Sequence, residues 1–335
     1  MAQYQNGTTP TFTTNEIDHY LVSELLETGD ATVALNNGLD SVKMQRNGGH
    51  TALFTRFEIP AVDTNFAPDG QSKASRQLVQ TPYQVRIRQY QESFEMSKQA
   101  DDLNPLKIVD AAKETLKPLI ARTRERVRWN VAKAATNVLY DTAAHTLRSQ
   151  VNSPISTGRL RRMTRFLRDN YGVHYSEIIS ATDKIGTRPI EPAYFAYVSS
   201  TMDSDLRNLP GFDVAANYSD SNKKMTYEIG SWEDVRFFAS PEFVPYAGEG
   251  AASSTMVTTN GLCDVYPLVI TAKHWGKQLA LQGEAKYGEG SNLKARILDQ
   301  ADKSDVNNAK VVVATEWYDG ILITNPLWCV CAEVA

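Results

Sequence analysis

The sequence contains only three cysteines, has no Lys or Arg before Lys43, and lacks any apolar run of the roughly 18 residues that a membrane-spanning helix needs. The low number of cysteines argues against a disulfide-stapled secreted domain, and the lack of a long apolar run argues against a helical membrane protein. The N-terminus has neither a basic segment nor an apolar one, so no export signal is predicted. Cys329 and Cys331 lie two residues apart, an unfavourable spacing for a disulfide within a strand, and we expect buried thiols in a reducing cytoplasm.

Motifs of common active sites are also missing. The sequence contains no Walker loop, no G-x-G-x-x-G, no G-x-S-x-G and no H-E-x-x-H. The five histidines form no i,i+4 pair, and the Cys-x-Cys pair has no second Cys or His pair at matching spacing. We therefore expect no catalytic residue, no cofactor and no metal site, and the sequence predicts a protein that is not an enzyme.

Charge is distributed unevenly along the 335 residues, which otherwise have the composition of a globular protein. The stretch up to Val42 carries six acidic side chains and no basic one. Between Pro105 and Arg168, fourteen Lys and Arg face four acidic residues, a local balance of +10, although the whole chain carries −4. The sequence thus predicts an acidic N-terminal arm and a basic central segment.

The acidic arm contains a predicted amphipathic helix. Residues 14–27 begin at Thr14, a good N-cap, and Gly29 follows the last turn. Ile17, Tyr20 and Leu21 fall on one apolar face. We expect this face to contact another subunit.

Two segments rich in β-branched and aromatic residues, 51–59 and 77–96, predict a long β-ribbon around a polar loop. Phe54 and Phe57 lie in its first strand, and Lys73 lies in the loop. An isolated two-stranded ribbon is marginally stable in water, so it needs a surface to lie on. That surface is either the body of the same chain or a neighbouring subunit, and the residues alone do not choose.

Two helices are predicted within the basic segment. The first begins at Asn104-Pro105 and continues to about Tyr140, and Pro118 should kink or divide it. The second spans about 158–170. In the first helix, Glu125 is spaced to pair with Arg122 and Arg128.

The aligned arginines of these helices have three candidate partners: helix carboxylates, the acidic arm, or the phosphates of DNA bound without sequence specificity. The residues considered for arm or DNA contact are Arg122, Arg126, Arg161, Arg165 and Arg168. A sequence-independent DNA-binding protein using residues 105–168 is therefore the alternative function.

From Ala193 onward the sequence predicts mostly strands, including 196–198 and 235–238. Near the C-terminus, residues 311–313 and 321–323 predict two strands joined by a hairpin turn at Asp319-Gly320. The fold class expected from these elements is α+β.

Four segments together resemble the major capsid proteins of tailed bacteriophages, particularly those related to the capsid protein of phage N-four. They are TRFEIPAVDTNFAPDGQ, QYQESFEMSKQADDLNP, YFAYVSSTMDSDLRNLPGF and YEIGSWEDVRFFASPEF. The resemblance spans most of the chain and implies the Hong Kong type capsid fold. It implies an N-terminal arm at 1–44, an extended loop at 45–90, a peripheral domain with a spine helix at 91–150, a mainly axial domain at 151–310 and C-terminal strands at 311–335.

The function that this resemblance implies is a subunit that assembles as hexamers and pentamers into the icosahedral shell around packaged double-stranded DNA. Portal, scaffolding and decoration proteins are the further partners it implies, no membrane is involved, and the location is the virion capsid after assembly in the host cytoplasm. Only about fifty residues precede the ribbon, so we expect the scaffold to be a separate protein.

Two features depart from the family. Asp305 is followed by Val-Asn-Asn instead of the Pro-Leu-Gly that related proteins tend to carry, which leaves the terminal alignment open. Some members of the wider fold crosslink a loop lysine to a neighbour's asparagine. Lys73 lies in the loop, but no sequence signal supports a crosslink there, and we do not expect one.

Overall fold

A computed structural model of the chain describes residues 33–45, 48–66, 69–70, 72–73, 75–103, 108–175, 192–217, 225–281, 294–299 and 305–335. Its helices are α1 (Lys98–Leu103), α2 (Ile108–Ala132), α3 (Thr157–Asp169) and α4 (Asp203–Arg207). Its strands are β1 (Asp40–Met44), β2 (Thr51–Phe57), β3 (Gln80–Arg86), β4 (Arg88–Ser97), β5 (Asn137–Tyr140), β6 (Tyr194–Ser199), β7 (Asp213–Val214), β8 (Glu228–Trp232), β9 (Val235–Ser240), β10 (Thr258–Thr259), β11 (Leu262–Cys263), β12 (Tyr266–Thr271), β13 (Gly276–Leu281), β14 (Lys294–Leu298), β15 (Lys310–Ile323) and β16 (Cys329–Val334).

A seven-stranded mixed sheet forms the largest layer, with strand order β5-β16-β12-β6-β9-β8-β7. Strands β6, β12 and β16 are buried along their whole length. Both faces of such a strand must be covered, which explains why these segments read as continuous apolar runs. The predicted strands at 196–198 and 235–238 are confirmed as parts of β6 and β9, and Cys329 and Cys331 are buried free thiols in β16.

Helix α3 covers one face of this sheet. Its first turn is capped by Ser156, whose hydroxyl accepts the Arg159 N–H, and Leu160, Met163 and Leu167 are fully buried beneath it. The prediction of a helix over about 158–170 is confirmed. On the opposite face, Trp129 of α2 and Trp275 pack in a second core with the segment that precedes β1.

The second sheet has the order β1-β13-β15-β14, and β4 pairs with the first ten residues of β15. Strand β15 is continuous over 14 residues with alternating burial, so the predicted hairpin at Asp319-Gly320 is wrong. The physical reason lies in the tertiary contacts. Asp319 is buried and forms an ion pair with Arg128, and Gly320 pairs with Leu279 of β13, so the strand continues where a turn was expected.

Helix α2 packs through Leu116 and Ile120 against β15 and β4. The predicted helix to Tyr140 is too long: it ends at Ala132, and residues 137–140 instead form β5, which pairs in parallel with β16. Pro118 lies inside α2 without dividing it, since a proline removes one helical hydrogen bond and packing of the buried face compensates. The predicted start at residues 104–105 lies outside the described residues.

The structure contains the predicted ribbon, but its paired strands are shorter than expected. Strands β2 and β3 pair from Thr51 with Arg86 to Phe57 with Gln80. Beyond the buried Ile87, whose N–H donates to the His50 carbonyl, the chain enters β4 and joins the second sheet. The segment 77–96 therefore contributes first to the ribbon, as β3, and then to the second sheet, as β4. The change occurs at Ile87, which is buried where the ribbon meets the body.

Candidate assembly surface and ion pairs

One face of the β2–β3 ribbon rests on the body of its own chain. The Arg56 guanidinium donates to the Asn325 side-chain oxygen at 2.7 Å, and the Lys277 ammonium lies 4.7 Å from the centre of the Phe54 ring. Phe54 is consequently half-buried. The body of the chain thus supports one face of the ribbon.

The other face and the loop beyond it expose several large apolar side chains. Phe57 is 57% exposed and Leu53 is 66% exposed, while Ile59 and Phe66 are each at least 90% exposed. Among the described residues of this extended loop, the exposed large apolar side chains are Leu53, Phe57, Ile59, Val62, Phe66, Leu78 and Val79. Exposed apolar side chains concentrated in one segment are typical of a protein interface.

Lys73 lies in the extended loop and is tied to the loop itself. Its ammonium is 2.7 Å from the Asp63 carboxylate, which also pairs with Arg76 at 3.0 Å. Hydrogen bonding to Lys73 lowers the pKa of Asp63. The three charges hold the two sides of the loop together.

The predicted contact residues Ile17, Tyr20 and Leu21 lie outside the described residues. The described chain begins at Val33, and residues 33–36, named here the arm root, are firmly packed: Ala34 and Leu35 are fully buried.

Glu125 of α2 holds the arm root. One of its carboxylate oxygens accepts the Ala34 N–H at 2.8 Å and the Leu35 N–H at 3.0 Å. The side chain is completely buried, and desolvation raises the pKa of Glu125 to about 7 despite these hydrogen bonds and the nearby Arg128. The sequence suggested pairs of Glu125 with Arg122 and Arg128, and that expectation is wrong because the carboxylate points inward to the backbone of the arm root.

The arginines of α2 instead reach acids that lie far away in sequence. Arg122 and Arg126 both pair with the buried Glu242, the latter at 2.8 Å. On the other side of the helix, Arg128 lies 3.1 Å from the buried Asp319. These arginines thus lie on two faces of α2, and each face has its own carboxylate.

The arginines of α3 are paired as well. Arg161 lies 2.7 Å from Glu233, Arg165 lies 3.5 Å from Asp169, and Arg168 pairs with Asp234. All five arginines considered for arm or DNA contact thus have acidic partners in their own chain, although their side chains stay more than half exposed. Much of the basic segment's charge is neutralised by the body.

A further ion pair that the sequence did not reveal joins Arg148 to Glu333 of β16. Two guanidinium nitrogens donate to the two carboxylate oxygens at 2.7 and 2.8 Å, and the guanidinium carbon lies 3.5 Å from the centre of the Tyr246 ring. The Glu333 side chain is only 1% exposed. The only sequence signal was a glutamate within an otherwise apolar terminal strand.

Within the described ranges, no group of three or more His, Cys, Asp or Glu side chains is arranged to hold a metal ion. In the same ranges, every helix is too short or too polar to span a membrane.

Comparison with solved structures connects this architecture to known proteins. The capsid of Ralstonia phage GP4 is 11% identical, with a TM-score of 0.69 over 98% of each chain. The capsid of cyanophage Pam1 is 12% identical, with a TM-score of 0.64 over 100% of this chain and 99% of that chain. The mature capsid of bacteriophage PhiM1 is 10% identical, with a TM-score of 0.59 over 95% and 91%. No protein-family model and no curated protein matches the sequence.

These likenesses show the fold. The chain has the α+β Hong Kong type fold of tailed-phage capsid proteins along its whole length, as the sequence resemblance predicted. The narrower resemblance to the phage N-four subfamily stays a prediction. At identities of 10–12%, a shared fold does not establish shared side-chain roles, so the roles of individual residues rest on this chain alone.

Proposed function

We propose that the protein is a major capsid protein, a structural and non-enzymatic subunit that assembles into the icosahedral shell of a tailed bacteriophage. The observation that carries the proposal is the full-length likeness to capsid subunits of several phages. The exposed apolar face of the extended loop supports it, because such a face needs a partner. The arginines give no comparable support to the alternative of a DNA-binding protein, since they are paired within the chain.

In this proposal, the extended loop lies on a neighbouring subunit, which buries Phe57 and Leu53. Phe54 holds the ribbon against the body of its own chain. The arm likewise contacts a neighbouring subunit, through Ile17, Tyr20 and Leu21. Helix α2 serves as the spine helix of a peripheral domain within 91–150, and the seven-stranded sheet with α3 forms the core of the axial domain assigned mainly to 151–310. Obligate interfaces of this kind commonly bury more than about 2,000 Å².

The proposed partners are further copies of the chain in hexamers and pentamers, with portal, separate scaffolding and decoration proteins. Packaged DNA would be contacted without sequence specificity, through exposed parts of residues such as Arg165. Assembly would take place in the host cytoplasm, and no crosslink through Lys73 is expected, because that ammonium is already paired with Asp63.

The loop is tested by the double variant Leu53→Ser/Phe57→Ser. Each change removes an exposed apolar side chain from the outer face of the ribbon, so the body should fold normally while subunits lose an apolar contact of about 3 kcal/mol. We expect wild-type protein to form closed shells in negative-stain electron micrographs and the variant to remain as small oligomers with an unchanged circular dichroism spectrum.

The matched control for that experiment is Leu53→Met/Phe57→Tyr, which keeps most of the apolar area and should assemble like the wild type. If the serine variant also forms normal shells, the loop is not an assembly surface. If the wild type forms no shells and instead binds DNA as a small oligomer with strong salt dependence, the capsid function itself is wrong.

Removing residues 1–29 tests the arm. The deletion ends before the packed arm root at Val33, so Glu125 keeps both backbone hydrogen bonds and the body should keep its unfolding midpoint. We expect shell assembly to be abolished, as measured by sedimentation and electron microscopy. Normal shells from the truncated chain would contradict the role given to Ile17, Tyr20 and Leu21.

A further inference from the structure

A polar cleft of about 200 Å³ lies where the arm root meets helix α2 and strands β1, β13 and β15. Its polar lining comes from all of these elements and includes Asn36, Ser41, Arg124, Arg128, Gln278 and Asp319. The cleft is separate from the apolar face of the extended loop, and the capsid function does not require it. Its chemistry is that of a binding site for an anion.

The positive charge of the cleft exceeds its negative charge. Arg128 donates to the side-chain oxygen of Asn36 and, at 3.1 Å, to the buried carboxylate of Asp319. The Nε of Arg124 lies 4.0 Å from the same Asp319 oxygen, which is beyond hydrogen-bonding distance. Two guanidinium groups therefore share one carboxylate.

Three polar atoms of the cleft residues are buried and, within the described part of the chain, have no hydrogen-bond partner. They are the Nε donors of Arg124 and Arg128 and the side-chain oxygen of Gln278. The Arg128 side chain is only 9% exposed. Burial also lowers the pKa of Arg124, since desolvation disfavours its charged form. These three atoms have almost no accessible surface, so a ligand in the cleft meets the arginines through their terminal guanidinium nitrogens, and the Arg124 side chain is 25% exposed.

We propose that this cleft binds one phosphate ion. The phosphate oxygens accept from the terminal guanidinium nitrogens of Arg124 and Arg128, the strongest class of protein hydrogen bond to an anion. Recognition rests on the charge and the tetrahedral shape of the ion. A cavity of about 200 Å³ accommodates one such ion but no duplex nucleic acid.

Binding has a mechanical consequence in this position. The cleft is lined by Val33 and Asn36 of the arm root, by α2, and by Gln278 and Tyr318 of the second sheet. A bound phosphate joins these three elements and stabilises the point where the arm leaves the body. The site is therefore a place where phosphate concentration can affect the anchoring of the arm.

Calorimetric titration of the purified full chain with sodium phosphate tests the site, with ionic strength held constant by NaCl. We expect saturable binding of one phosphate per wild-type chain, and binding at least about tenfold weaker in Arg124→Gln, which loses a charge-assisted hydrogen bond. Arg207→Gln is the matched control, because Arg207 pairs with Asp203 within α4, away from the cleft lining, and should leave phosphate affinity unchanged.

Two further measurements keep the test decisive. Arg124→Lys retains the charge without the planar fork, so it guards against a folding defect in the glutamine variant and should bind with intermediate affinity. Sulfate has the same shape and a similar charge, so it should displace phosphate from the wild type. No saturable binding, or equal phosphate affinity in wild type and Arg124→Gln, overturns the site, and failure of sulfate to compete overturns recognition by charge and shape.

Discussion

At pH 8, the Glu125→Gln variant is expected to have a free energy of unfolding about 2–3 kcal/mol larger than that of the wild type, whereas at pH 4 the two should be nearly equal. Burial raises the pKa of Glu125 from 4.5 to about 7 in the folded protein. Between these values the folded state keeps a proton that the unfolded state has lost. The contribution of Glu125 is thus fully present below about pH 4.5 and is lost as the pH rises through about 7.

Glutamine keeps the oxygen that accepts from Ala34 and Leu35 and carries no charge, so the variant does not lose stability at this site as the pH rises. Its amide N–H₂ group is buried without a partner, which costs part of the gain. Urea unfolding of both proteins from pH 4 to pH 8 measures the difference. Glu114→Gln on the exposed side of α2 is the control, and it should change stability by less than about 0.5 kcal/mol. A Glu125→Gln protein with the pH dependence of the wild type would show that the carboxyl is not desolvated.

Replacing Arg148 with methionine is expected to lower the free energy of unfolding by about 3–5 kcal/mol, because Glu333 is then left buried without a counter-ion. The two hydrogen bonds at 2.7 and 2.8 Å are lost together with the contact to Tyr246. Since Glu333 lies in β16 between β5 and β12, the penalty acts on a strand that is paired on both sides within the seven-stranded sheet.

The double variant Arg148→Met/Glu333→Gln separates the loss of a favourable pair from the cost of a buried charge. It should recover most of the lost stability, since the buried carboxylate is gone. Arg165→Met removes an equally long side chain from an exposed pair on α3 and should change stability by less than about 0.5 kcal/mol. A loss below 1 kcal/mol for Arg148→Met in urea unfolding would mean that water reaches Glu333.

Several elements of the fold were predictable because their signals are local. The helix at 157–169 has its serine cap and its apolar stripe, and β6 and β9 are short segments rich in apolar and aromatic residues. The ribbon was recognisable from its alternating β-branched and aromatic residues, but its length was not, because only the packing of Ile87 into the body ends it. Likewise, Asp319-Gly320 has the composition of a turn, yet pairing with β13 and the ion pair to Arg128 keep β15 extended.

The candidate assembly surface was partly predictable for the same reason. The strand pattern places Phe54 and Phe57 in the first strand of the ribbon. Only the structure shows that Phe54 faces the body while Phe57 faces outward. This difference follows from the alternation of side chains along a strand, once the contact of Arg56 with Asn325 fixes which face is inward. The residues of the arm lie outside the described part of the chain, and their role stays a prediction.

By itself, the sequence determined the α+β class, the acidic character of the N-terminal stretch, the presence of a β-ribbon and the absence of common active-site motifs, and its family resemblance pointed to the Hong Kong type fold. Only the tertiary structure decided where the charges go. The partners of Arg122, Arg128 and Arg148 lie more than a hundred residues away in the chain, at Glu242, Asp319 and Glu333. Local spacing cannot encode such pairs, because a charge interacts with its neighbours in space, and those neighbours are set by how the sheets and helices pack.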